Sequence, residues 1–337
     1  MDLLTGRNGV ETSVPADDAA VVHAASTSDI DEQAALLRGW NQTYDQISAG
    51  RFSGSFFEAQ IDRIQVFREI TSNSLQQTGA LPEGTIAVGA PVSLRGSATF
   101  CGRPCDGQQL HVFSGNDAFE FFSPRGLDII GFVLHQGDLH RALTSGELED
   151  IRSSLVKPHL RFVDPTVLYR VRRVFSDICE VLTQSPVSPC DPVRLSSMSR
   201  DAVTAVVNSL ATGYRDKFDV PAAKRALIVG HARDLLSAWP HDFMCVADLC
   251  RELGISRRAL QQSFQETLGV KPSTYIRAVR MNGARRAIKT ANSVAEAATL
   301  WGFWHFGRFA HDYHMMFGEL PSEAFRRYHG AQERADN

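Results

Sequence analysis

The chain has 337 residues, 43% of them hydrophobic and 22% charged, with a formal net charge of −3, which fits a globular protein of two domains. Gly and Pro contents of 25 and 14 exclude collagenous and wholly disordered classes. No run of about 18 apolar residues and no basic-then-apolar leader occurs, so the expected location is cytoplasmic and the six cysteines are expected as thiols.

Residues 1–35 are small, polar and acidic, and a loose tail is expected there. From about 50 to 140 the apolar residues come in short runs: Ser55 to Asp62, Ile64 to Thr71, Thr85 to Ala90, Leu110 to Phe113, Phe119 to Phe122 and Leu127 to Leu134. Turn-forming groups such as Pro82-Glu83-Gly84 and Ser123-Pro124-Arg125-Gly126 separate them, which predicts many short strands in an antiparallel sandwich or barrel. Helical spacing follows, with Leu143, Leu148, Ile151 and Leu155, then Val167 to Leu182. Three prolines between Thr183 and Pro192 mark a linker or stiff loop. Helical patterning resumes at about Arg194 and, beyond Pro221, runs to Tyr328.

Charge divides along the same line. Residues 222–330 hold 15 Lys+Arg against 9 Asp+Glu, and residues 1–221 hold 19 against 27. A basic unit on an acidic protein points to a polyanion partner, although segregated surface charge gives the same count.

The C-terminal unit contains an internal repeat. Val246, Leu249, Cys250 and Leu253 have helical spacing and precede Gly254; Val294, Ala297, Ala298 and Trp301 repeat this 48 residues later and precede Gly302. After the first glycine, Ser256 is placed to cap a helix that buries Leu260, Phe264 and Leu268. After the second, Phe309, Tyr313 and Phe317 correspond. Both copies close with Gly-x-x-Pro-Ser, at Gly269 and Gly318. Two helix-turn-helix units are therefore expected.

The face opposite Leu260 carries Arg257, Arg258, Gln261, Gln262 and Gln265. Arg and Gln suit bidentate contacts with guanine and adenine edges, so with Ser256 these are the first candidate DNA-binding set; a merely solvated helix face is the alternative. The second set is Trp304, His305, Gly307, Arg308, His311 and His314, with fewer long donors and more scope for positioning on phosphate. A metal pair at His311 and His314 lacks the Cys or carboxylate partners that would complete it.

From about Ala222 to Gly330 the chain resembles the double helix-turn-helix domain of AraC/XylS-type transcriptional regulators. The residues that carry the resemblance include Val246-Ala247-Asp248-Leu249, Leu253-Gly254-Ile255-Ser256, Tyr275-Ile276-Arg277, Ala284-Arg285-Arg286, Gly302-Phe303, Phe317-Gly318 and Pro321-Ser322. Trp301 to His305 and Phe317 to Pro321 further resemble the subgroup that includes the ethanolamine-utilisation regulator. The resemblance implies a long helix over Thr274 to Lys289 bridging the modules. Lys271, Arg280 and Arg285 are candidate phosphate contacts, and for the two arginines a salt bridge holding that helix is the competing role.

More weakly, the N-terminal region resembles the cupin-like sensor and dimerisation domain of such regulators. The expected fold is thus α+β: a loose tail (1–35), an antiparallel β-barrel or sandwich with flanking helices (36–183), a linker and connecting helix (184–221) and an all-α double helix-turn-helix domain (222–330). His111, His135 and His140 do not form a His-x-His ligand set, so no metal is expected. Phe57, Ile61, Phe100, Phe121, Phe132 and Leu134 are candidate effector-pocket residues, with plain core as the alternative. Val167, Val171, Val174 and Ile178 are candidate dimer contacts, unless their helix simply covers the barrel. Cys101 and Cys105 form a C-x-x-x-C pair of the incidental kind.

The expected function is a dimeric, sequence-specific DNA-binding transcriptional regulator, activator or repressor, with the N-terminal barrel as the place for a small-molecule effector. Its expected partners are double-stranded promoter DNA and a second copy of the chain, with RNA polymerase a further candidate; no membrane and no cofactor are expected. No G-x-S-x-G, P-loop, G-x-G-x-x-G or H-E-x-x-H occurs, so no enzyme is expected. The competing reading is a cupin-like ligand-binding or enzymatic protein whose helical C-terminus is an interaction module.

Overall fold

The computed structural model describes residues 21–61, 64–152, 156–184, 192–212, 220–239 and 244–335. The first part of the chain builds two antiparallel sheets. The larger has seven strands in the order β1 (Val21–Thr27), β3 (Gly54–Ile61), β4 (Ile64–Thr71), β11 (Leu127–His135), β6 (Thr85–Ser93), β9 (Gln109–Ser114) and β12 (His159–Phe162). The smaller has five: β2 (Asn41–Gln46), β5 (Leu75–Ala80), β10 (Phe119–Ser123), β7 (Ala98–Phe100) and β8 (Arg103–Cys105). This is the expected sandwich, and each pair of neighbouring strands among the described residues is antiparallel.

Two features depart from the expectations. Part of the expected loose tail is ordered: β1 pairs with β3, and α1 (Ile30–Ala35) is capped by Asp29, whose side chain accepts from the Asp31 and Glu32 amides. Six residues are too few to show a helical period, yet Ile30 and Ala34 are buried with Tyr44, Phe52 and Leu75. Residues 1–20 lie outside the described set. Strands β2, β5, β7, β8 and β12 have no counterpart among the expected apolar runs. The first two are rich in Gln, Asn and Thr, and no apolar alternation announces them.

The sandwich has two cores, one on each face of the large sheet. Between the sheets lie Phe56, Phe67, Phe100, Phe113, Phe119 and Phe121, with Trp40 edge-on to Phe67, Phe113 and Phe119. On the outer face, α4 (Pro165–Gln184) and α5 (Pro192–Thr212) cover Phe57, Ile61, Phe132 and Leu134. Two short helices, α2 (Gln136–Ala142) and α3 (Ser145–Arg152), precede them.

This arrangement corrects two expectations. The six proposed effector-pocket residues do not converge: Phe100 and Phe121 face the interior of the sandwich, and the other four face the helices. All six are close-packed core, as alternating strand residues must be when both faces of a sheet are covered. The proposed dimer stripe is likewise internal. Val171 and Ile178 are 0% and 3% exposed against the sheet and α5, Val174 is half-buried against the same core, and Val167 is half-buried. Helix α4 therefore spends its apolar face on its own barrel. Cys190 and the expected linker at 185–191 lie outside the described residues, and α5 packs with the sandwich through Leu195, Ala202, Val206 and Leu210.

The last part of the chain is helical: α6 (Val220–Ala238), α7 (Val246–Glu252), α8 (Arg257–Leu268), α9 (Pro272–Ile288), α10 (Val294–Leu300), α11 (Phe306–Phe317) and α12 (Pro321–Ala335). Its two halves have their own cores, one around Leu249, Leu260, Phe264 and Tyr275, the other around Ala297, Ala298, Phe309, Tyr313 and Phe317. The duplicated glycines explain the shared geometry. Gly254 and Gly302 adopt φ of 63° and 73° in the turns, and Gly269 and Gly318 adopt 68° and 73° after the second helices, a backbone region that a Cβ disfavours. No helix among the described residues is long and apolar enough to cross a membrane.

Candidate nucleic-acid interface

Helix α8 begins at Ser256, whose hydroxyl accepts from the Ala259 amide at 3.1 Å. With Leu260, Phe264 and Leu268 buried against α6, α7 and α9, the side chains of Arg257, Arg258, Gln261, Gln262 and Gln265 are exposed. Arg257 and Arg258 carry no ion pair with any described residue. The Gln262 amide donates to Glu266 Oε1 at 2.7 Å, and Glu266 is held by Arg225 of α6 at 2.7 Å. That chain of contacts presets the Gln262 rotamer. Arg258, Gln261, Gln262 and Gln265 are exposed along one side of α8, with Ser256 and Arg257 exposed at its start.

The second module presents Trp304, His305, Gly307, Arg308, His311 and His314, all exposed. Phe309, Tyr313 and Phe317 anchor α11 from behind. Arg308 is 79% exposed and 3.7 Å from Asp312, which is also engaged by Arg277 of α9. Among the described residues no group of three or more His, Cys, Asp and Glu could hold a metal ion. Trp304 and Phe306 are 64% and 49% exposed, an aromatic rim on an otherwise polar face. Between the modules lies a cleft of about 400 Å³, bordered by Ile276, Arg277, Phe303, Trp304 and Arg308.

The three proposed phosphate contacts separate. Lys271 is exposed at the start of α9. Arg280 instead turns inward: its Nε and Nη2 donate to the carbonyls of Trp301 and Gly302 at 3.0 and 2.7 Å, and its guanidinium lies over the Phe303 ring. It ties the second glycine turn to the bridging helix, and burial lowers its pKa. Arg285 is 3% exposed and pairs with Asp29 at 3.0 Å. Arg285 is buried in its ion pair and Arg280 is half-buried on two backbone carbonyls, contacts that suit the competing role of holding the helix.

Arg285 belongs to a cluster that the sequence reading did not find. Arg286 donates to Asp31 at 3.1 Å and to Asp45 at 2.6 Å, Lys289 to Asp31 at 2.5 Å, and the Tyr328 hydroxyl donates to Asp29. Arg233 of α6 pairs with Glu120 of β10. Burial alone would raise the Asp29 pKa, but Arg285, Tyr328 and Lys289 outweigh it and hold the carboxyl at about 2. The signal was present in the charge division between the two halves of the chain. Part of the basic excess of residues 222–330 answers acidic residues of the sandwich and is not available to a polyanion. The exposed basic groups of the interface are Arg257, Arg258, Lys271, Arg277 and Arg308.

In the sandwich, His111 is wholly buried, stacked on Phe100 at 4.8 Å and edge-on to Phe121 at 4.9 Å, with neither ring nitrogen hydrogen-bonded. Burial lowers its pKa to about 3. Cys101 and Cys105 flank the β7–β8 turn as free thiols. Burial raises the Cys101 pKa to about 12 and also raises that of Cys105, which opposes thiolate chemistry.

Residues 249–327 match the family model described as a helix-turn-helix domain, a stretch that runs from α7 into α12. A probable thc operon regulatory protein of Rhodococcus erythropolis is 31% identical over 194 residues, covering 55% of this chain and 58% of that protein. The XylDLEGF operon transcriptional activator 1 of Pseudomonas putida is 40% identical over 77 residues, covering 22% and 23%. The chain therefore spans less than two thirds of the length of either relative. Among solved structures, the AraC-like transcriptional activator CuxR aligns over 83% of this chain and 99% of that one, with 15% identity and a TM-score of 0.43. Residues 249–327 are thus similar to helix-turn-helix domains, and two relatives of the chain are described as an operon regulatory protein and an operon transcriptional activator.

Proposed function

We propose that the chain is a sequence-specific DNA-binding transcriptional regulator that offers α8 and α11 to successive major grooves, about 34 Å apart. The observation that carries the proposal is the exposed stripe Arg258, Gln261, Gln262 and Gln265 on a capped, rigidly backed helix. These are long, bidentate donors on the face that a groove would meet. The second module has one exposed arginine and two exposed histidines in the equivalent place, which suits positioning on the phosphate backbone.

The remainder of the function rests on analogy. Two relatives are described as an operon regulatory protein and an operon transcriptional activator, which supports promoter DNA as the target and RNA polymerase as a partner. The finer resemblance to the ethanolamine-utilisation subgroup, carried by residues 301–305 and 317–321, supports a small metabolite as effector. A second copy of the chain would double the phosphate contacts and set the half-site spacing, but through a face other than the buried stripe of α4.

The test is retention of genomic DNA fragments by the full-length chain at two salt concentrations, followed by sequencing. A shared motif with two blocks about one helical turn apart supports the proposal. Diffuse, salt-labile retention without a motif overturns it in favour of generic polyanion binding.

A further inference from the structure

Helices α8 and α11 present different chemistry at matching positions. Where α8 exposes Arg258, Gln261, Gln262 and Gln265, α11 carries Gly307, Ala310, His311 and His314, each 49 residues later. Gly307 and Ala310 have no side-chain donor or acceptor, so half of this face cannot read a base by hydrogen bonds. The glycine has no local cause. Its φ is not in the left-handed range, and a Cβ there would meet nothing within 4 Å. Glycine in a helix costs stability relative to alanine, and one use that offsets the cost is close approach of the backbone to a ligand.

Beside this open turn stand two exposed aromatic side chains. Phe306 is the first residue of α11 and lies outside the core of its module, which Phe309, Tyr313 and Phe317 form with Trp301 and Phe303 packed against it. Trp304 precedes the His305 cap and is the more exposed of the two. Their surroundings are cationic: Arg277 and Arg308 are exposed, and Asp312, the one carboxylate of α11, is engaged by both. An apolar rim between arginines fits a polyanion that also carries apolar groups. In the major groove of a duplex the apolar group at the base edges is the C5-methyl of thymine.

We propose that the second module reads thymine methyl groups: Phe306 and Trp304 pack on C5-methyls in the major groove, and Gly307 lets the first turn of α11 approach the base edges. The inference rests on the DNA-binding function proposed above and adds the chemistry of the second half-site. Base edges are met by the N-terminal residues of a reading helix, and both aromatic residues lie at that end of α11. Each methyl covered by a ring removes apolar surface of both partners from water. Arg308 holds the register on phosphate and carries no sequence information itself. The two modules thus divide the work, with hydrogen-bond reading on α8 and methyl reading on α11.

The experiment is selection of sites by the full-length chain from two random duplex libraries, one with thymine and one with deoxyuridine in its place. Deoxyuridine keeps the hydrogen-bonding groups of thymine and lacks only the methyl. The block relaxed by Arg258→Ala is assigned to α8, and the other to α11. The expected result is a two-block motif from the thymine library, with the α11 block lost from the deoxyuridine library and the α8 block retained. On the selected site, each thymine replaced in the α11 block should weaken binding about fourfold. That ratio should fall in Phe306→Ala and reach one when Trp304→Ala is added, with Tm checked for each. The same motif from both libraries overturns methyl reading and leaves the regulator standing, whereas no motif from either overturns both. A ratio unchanged in the double variant also overturns the inference, as does loss confined to the α8 block. A lower sedimenting mass of the DNA-free double variant would make the aromatic rim a contact between copies, and overturns it too.

Discussion

Asn282 and Gln46 exchange hydrogen bonds across the domain junction. The Asn282 Oδ1 accepts from the Gln46 backbone amide at 3.0 Å, and its Nδ2 donates to the Gln46 carbonyl at 2.8 Å. Strand β2 is an edge of the small sheet, and an unpaired edge presents donors and acceptors that need partners. One side-chain amide on α9 thus continues the ladder where the sheet ends, and both residues are 1% exposed. Replacing Asn282 with Ala strands a buried donor and a buried acceptor. The expected loss is about 1–3 kcal/mol of stability, read from the urea midpoint. An unchanged midpoint would show that the junction is open in solution.

Base reading is tested at Arg258 and Gln262. Each is exposed, so Ala at either should leave the melting temperature unchanged. Binding to the selected site should weaken by about 1–3 kcal/mol for each lost bidentate contact, with relaxed preference at the corresponding base. Site selection that survives both substitutions would remove this stripe from the reading role.

Lys271 and Arg280 should behave oppositely, despite sharing α9. Lys271→Ala is expected to reduce the slope of log K against log salt by about 1, with stability intact. Arg280→Ala uncaps the Trp301 and Gly302 carbonyls, so about 1–3 kcal/mol of stability should be lost. Its salt slope, measured below the melting transition, should match the parent. A reduced slope would mean that Arg280 reaches phosphate after all.

The buried His111 imposes a pH dependence. Its pKa falls from 6.5 to about 3, so between those values the unfolded chain binds a proton that the native state does not. Stability therefore falls as pH is lowered through that window. His111→Phe, placed between Phe100 and Phe121, removes two unpartnered nitrogens and should flatten the dependence while raising Tm. Denaturant midpoints at intervals from pH 7 to about 4 check this, and parallel curves for the two proteins would refute it.

Asp29 acts lower on the scale. Its pKa is depressed from 3.8 to about 2, so its contribution is complete above 3.8 and is lost as pH falls through 2. Burial raises the pKa values of Asp45 and Glu69, which oppose that slope. The difference between the parent and Asp29→Asn isolates the Asp29 share. It should be destabilised at neutral pH and converge with the parent near pH 2; a constant gap would place the effect in packing instead of charge.

What the sequence determined was local and repetitive. The helical stripes at Leu249 and Ala297, the glycines at 254 and 302 and the cap at Ser256 are each set by neighbours within a few residues, and each is where the repeat placed it. The apolar runs of β3, β4, β6, β9, β10 and β11 were legible for the same reason. Strands β2 and β5 and the ordered segment from Val21 to Ala35 were not, because Gln, Asn and Thr become strand residues only when a neighbouring edge takes up their backbone groups. Tertiary structure alone decided what the charged and apolar surplus was for. Val171 and Ile178 were buried by the chain's own sheet, Phe100 and Phe132 were placed in separate cores on either side of the large sheet, and Arg280 and Arg285 were drawn from solvent by partners 21 to 256 residues away in sequence. Which side of a stripe meets the barrel, and which arginine meets a carboxylate, depends on long-range proximity that spacing along the chain does not encode.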